Sequence, residues 1–95
     1  MTTMLILNLP PGLEEDLIDY LLSLDCVRGF TSYDAMGHGE HQNLTVAEQV
    51  SGRQRRKQFE ILTEESAINS ITDGLPEVGK DITYWQQPVL QIGRT

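Results

Sequence analysis

Between Gly29 and Leu62 the chain alternates, breaks, loses its periodicity and then alternates again. Residues Phe30 to Met36 read as a strand, with Phe30, Ser32, Asp34 and Met36 on one face and Thr31, Tyr33 and Ala35 on the other. Gly37-His38-Gly39 stops it, since glycine lets the backbone turn or approach another group closely. A further strand runs from about Arg56 to Leu62, where Phe59 and Ile61 flank Glu60. The residues between, Glu40 to Arg53, are polar and have no period that could form a core. Structureless loops beyond roughly 12–15 residues are uncommon in compact domains and are usually functional or disordered. The rest of the chain therefore has to hold that loop by its two stems.

The remaining elements supply such a scaffold. Met4-Leu-Ile-Leu-Asn-Leu9 is a short apolar run closed by Pro10 and Pro11, which favours a buried strand. Pro11 and Gly12 open a helix, with Glu14, Glu15 and Asp16 where the positive end of the helix dipole favours acids. Leu13, Leu17, Leu21 and Leu24 give that helix one apolar face. Glu64 and Glu65 open a second helix striped by Ile68, Ile71 and Leu75, which Asp73-Gly74 and Pro76 terminate. Ile82 to Trp85 forms a fourth strand, and Val89 to Ile92 a short fifth segment that Pro88 confines to an edge. The order β-α-β-β-α-β predicts an α+β, ferredoxin-like domain over residues 1–95. One antiparallel sheet carries both helices on one face.

Composition narrows the function. At 95 residues the chain is one domain, and a chain this short commonly gains stability by oligomerising. A formal charge of -7 argues against nucleic acid as a partner. Yet four of the seven basic residues, Arg53, Arg55, Arg56 and Lys57, are clustered beside the loop. The single cysteine, Cys26, excludes an intrachain disulfide and reads as a small apolar residue at a helix–strand junction. Met4–Leu9 is too short for a signal core, and no segment is long enough to insert in a membrane. The expected location is the cytoplasm. No nucleophile and base fall into a recognisable pair, so an enzyme is not expected.

The segment Gly29-Phe-Thr-Ser-Tyr-Asp-Ala-Met-Gly37-His-Gly39, with Phe59-Glu-Ile-Leu62 and an acidic helix start after it, resembles the PII-like signalling superfamily. Those proteins resemble nitrogen regulatory protein PII; they are trimers with a long T-loop between strands two and three. The similarity is greatest to a short proteobacterial branch often encoded near heavy-metal efflux pumps, and CutA-like proteins share the architecture more distantly. The resemblance implies a homotrimer with a ligand in the cleft between subunits, bordered by Thr31, Gly37 and Gly39. It does not extend to the phosphate-binding loop, shortened here to Glu77-Val-Gly-Lys80. Nor does it extend to the C-terminal arginines, whose places hold Leu90 and Ile92 with Arg94 nearby.

The ligand-binding candidates are Thr31, Gly37, His38, Gly39, Arg55 and Arg56. The two glycines either turn the chain or face a ligand. The basic run is either a solvated stem or an anion site, in which guanidinium groups fork onto phosphate or carboxylate. Alternation puts Arg55 and Lys57 on one face and Arg56 on the other. His38 and His41 are spaced to share a divalent metal, but would need a third ligand; the alternative is two exposed histidines. Tyr84 and Trp85 pack either in the core or between subunits. The preferred function is ligand-dependent signalling to a partner protein through the 40–53 loop. The alternative is a metal-binding accessory protein of heavy-metal resistance. The cofactor is left unassigned.

Overall fold

The computed structural model describes residues 1–39 and 53–95. The segment 40–52, with His41 and most of the expected loop, lies outside the described residues. Four strands form one sheet: β1 (Thr2–Leu9), β2 (Thr31–His38), β3 (Arg53–Glu64) and β4 (Thr83–Pro88), in the spatial order β2-β3-β1-β4. Every neighbouring pair is antiparallel. Helix α1 (Glu14–Leu22) joins β1 to β2. Two short helices, α2 (Ile68–Thr72) and α3 (Leu75–Val78), join β3 to β4. This is the ferredoxin-like α+β fold that the element order predicts.

Pairing follows side-chain chemistry. Leu5 lies opposite Ile61, Leu7 opposite Phe59 and Leu9 opposite Lys57, so one face of the two central strands is apolar almost throughout. Leu17 and Leu21 of α1, four residues apart, meet that face with Ile71 and Leu75 from the second helical segment. Phe59 lies at its centre, fully buried, with the Phe30 ring centroid 5.7 Å away. The three acids in the first turn of α1 complement its dipole in the absence of a side-chain cap.

Several boundaries differ from expectation. β2 runs through Gly37 to His38, and β3 begins at Arg53, because the stem residues stay paired as far as His38 opposite Arg53. The expected second helix is split at Asp73-Gly74, and Pro76 in the first turn of α3 has no N–H to give the preceding turn. Gly74 at the break also meets α1 closely. A β-carbon there would lie 2.4 Å from the Tyr20 hydroxyl, which donates 2.6 Å to the Ile71 carbonyl. Pro88 ends β4 rather than starting a new segment. The expected strand Val89–Ile92 is not formed: residues 89–95 are irregular, and Leu90 is 99% exposed. A proline at the end of an edge strand offers no N–H to prolong the ladder.

Candidate functional site

The β2–β3 register sorts the candidates by face. Arg53, Arg55 and Lys57 lie opposite His38, Met36 and Asp34, on the side that the helices cover. Gln54, Arg56, Gln58 and Glu60 lie opposite Gly37, Ala35, Tyr33 and Thr31, on the side that none of the described helices covers. Thr31 and Gly37 thus share a face, but six residues of strand separate them by about 20 Å. The chain does not bring Thr31 to the stem. It lines instead a small cavity of about 190 Å³ with Phe30, Glu60 and Leu62 at the other end of β2. Gly39, just past β2, has φ 110° with nothing within 4 Å of a β-carbon position, so conformation rather than space requires glycine there.

On the helix side, Asp34, Met36, Arg55 and Lys57 line a cavity of about 280 Å³ at the base of the stem, with Pro11 at its rim. The Lys57 ammonium bridges two elements, donating to Asp34 of β2 and lying 3.3 Å from Glu14 of α1. Donation from Lys57, with its charge, holds the Asp34 carboxyl below its ordinary 3.8. The same bonds raise the lysine. A carboxyl depressed in the folded state stabilises above its unfolded value, and that contribution is lost as pH falls through the folded one. In a carbon-detected NMR titration, Asp34 is expected to titrate below 3.8 and to move upward in Lys57→Met. Equal titration in both proteins would exclude the contact.

Arg56, expected to contact an anion, is placed otherwise. Its side chain is 5% exposed. Nε donates to Asn8 Oδ1 at 2.6 Å, Nη1 to Asp81 Oδ2 at 2.8 Å, and Nη2 to the carbonyls of Asn8 at 3.0 Å and Asp81 at 2.9 Å. These bonds engage four of the five N–H groups of a guanidinium. They also hold Asp81 in the left-handed region, at φ 65°. Arg56 is thus a clamp joining β3, β1 and the approach to β4, and it lines the stem cavity together with Arg55 and Lys57.

The clamp ends a hydrogen-bonded row across the open face. Asn8 Nδ2 donates to Gln58 Oε1 at 2.9 Å, Gln58 Nε2 donates to the Tyr33 hydroxyl at 3.1 Å, and that hydroxyl donates to Glu60 Oε2 at 2.8 Å. An arginine can only donate and a carboxylate only accept, so the row has one direction and both amides are oriented by it. Donation to Glu60 is also what raises the Tyr33 phenol. Neither Asn8 nor Asp81 was a sequence candidate. Their role follows from register and loop geometry, which periodicity does not reveal.

His38 is exposed at the end of β2. Among the described residues no three His, Cys, Asp or Glu side chains gather as a metal-binding set. Among the same residues, no helix is long and apolar enough to cross a membrane.

A family model described as "Protein of unknown function (DUF3240)" matches residues 1–95. The chain belongs to the DUF3240 family. A crystal structure of a DUF3240 family protein from Shewanella baltica OS155 is similar to this chain with a TM-score of 0.81 and 21% identity. The similarity covers 99% of this chain and 96% of that one. At that identity the likeness concerns the fold. No curated protein matches the chain.

Proposed function

We propose that the chain is a non-enzymatic, PII-like regulatory protein of the cytoplasm. It assembles as a homotrimer through the open face of its sheet. A small anion binds in the helix-side cavity at the base of the stem beside Arg55, and the 40–53 segment carries the signal to a partner protein. One observation supports this reading above the others: among the described residues, the helices cover one face only. The other face carries exposed Tyr33, Leu62 and Trp85, at 41%, 43% and 38%, around the polar row. Contiguous exposed apolar groups rimmed by polar ones mark interaction surfaces. Ligand control requires a ligand that prefers one of two arrangements of the signalling segment.

Multi-angle light scattering tests the assembly. The protein is expected to elute at three times its chain mass, and Leu62→Glu with Trp85→Glu to elute at one, with an unchanged circular dichroism spectrum. A wild-type protein at one chain mass would reject the trimer. A thermal-shift screen tests the ligand, since binding to the folded state alone raises Tm. Adenine nucleotides or other small anions are expected to raise Tm, and Arg55→Ala to remove the shift. A shift with divalent metals alone, lost in His38→Ala and His41→Ala, would replace this reading by a metal-binding accessory role in heavy-metal efflux.

A further inference from the structure

At the end of the sheet away from the stem lies an open cavity of about 620 Å³, within the range of small-molecule sites. Three observations there are unexplained by folding alone. Thr63 lines it from the helix-facing side of β3 and is 9% exposed, yet its hydroxyl makes no hydrogen bond among the described residues. Buried hydroxyls are normally paired. Thr3, opposite on β1, is paired: it donates to the Gln87 carbonyl at 2.9 Å and accepts from Gln86 Nε2 at 3.0 Å. Next, β2 begins at Thr31 opposite Glu60, so Ile61 to Glu64 of β3 are laddered to β1 alone. Among the described residues, the backbone edge along Leu62, Thr63 and Glu64 has no strand partner beside the cavity.

The third observation is charge. Arg28 and Asp25 are exposed at the cavity, and neither side chain forms an ion pair or hydrogen bond among the described residues. Glu64 is already matched, accepting from the Met1 ammonium at 2.6 Å and from the Thr2 hydroxyl at 3.4 Å. One unmatched cation and one unmatched anion therefore stand beside an unpaired buried hydroxyl and an open strand edge. Cys26, Ala67 and Ile92 add apolar surface.

We propose that this cavity binds a free amino acid with an apolar side chain. Its carboxylate pairs with Arg28 and its ammonium with Asp25. Thr63 Oγ1 and the open edge of β3 take up the remaining polar contacts, and the side chain lies against Cys26, Ala67 and Ile92. The site is about 33 Å along β3 from Arg53, so it stands apart from the anion proposed at the stem.

Three probes of one chain length test it by NMR on the full chain: norleucine, hexanoate and hexylamine. Norleucine is expected to shift the amides of Arg28, Thr63 and Ala67 in a saturable way. Hexanoate and hexylamine, each lacking one charge, are expected to bind at least about tenfold more weakly. Thr63→Val keeps the shape but removes the hydroxyl, and is expected to weaken norleucine at least about fivefold. Arg28→Gln, on the exposed surface, is expected to bring norleucine down to the level of hexylamine. Saturating norleucine is also expected to slow alkylation of Cys26 by iodoacetamide. The proposal is overturned if norleucine leaves those amides unmoved or if either single-charge probe binds as well. It is likewise overturned if affinity is unchanged in Arg28→Gln.

Discussion

Arg56→Ala is expected to lower the unfolding free energy, read by urea titration, by about 2–4 kcal/mol. The substitution does more than delete a salt bridge. It strips the Asn8 carbonyl and Oδ1 and the Asp81 carbonyl and carboxylate of their donor in one step. Removing one member of a buried pair costs about 3–5 kcal/mol. The expectation here is lower because Asp81 is 54% exposed and water can replace part of what is lost. Arg56→Lys keeps the charge but not the fork, so it is expected to recover less than half of the loss. A loss below about 0.5 kcal/mol in the alanine variant would mean that the clamp is ornamental and that Arg56 is available for another task.

Phe59→Ala is expected to cost more, about 3–5 kcal/mol. Phe59 is fully buried on the central strand opposite Leu7 and beside Phe30, so the void opens between the two layers. Neither strand can move in to fill it, since each is laddered to neighbours on both sides there. Phe59→Leu, which keeps most of the volume, is expected to lose far less. Calorimetry distinguishes the pair. Similar melting temperatures for alanine and leucine variants would show that the core relaxes around the deletion.

The parts of this molecule legible in its sequence are those in which a side chain's fate depends on its neighbours along the chain. Leu17 and Leu21 announce the buried face of α1, and Phe59 and Ile61 that of β3, because spacing alone assigns a face. The alternation also separates Arg55 from Arg56 correctly. What alternation cannot say is what Arg56 meets, because Asn8 is 48 residues away and Asp81 is 25. The anion role read for it came from charge and clustering, and burial depends on the register with β1. Thr63 escaped notice for a related reason. Whether the β3 edge beside it is covered depends on where β2 begins, and alternation alone sets that strand one residue early at its start and two at its end. The split between α2 and α3 was half visible, in Asp73-Gly74 and Pro76, but was read as an end rather than a break.

The long central strand has a mechanical consequence. From Lys57 to Glu60, β3 is laddered on both sides. A slip by a single position would turn Phe59 and Ile61 outward to water and drive the Arg56 charge beneath the helices, a reversal no small ligand could compensate. Sliding is thus closed to this protein as a way of transmitting information. β3 acts as a fixed post. On the proposed reading, the backbone route from the sheet to residues 40–52 leaves at the post's tip, through Gly39 on one side and Arg53 on the other.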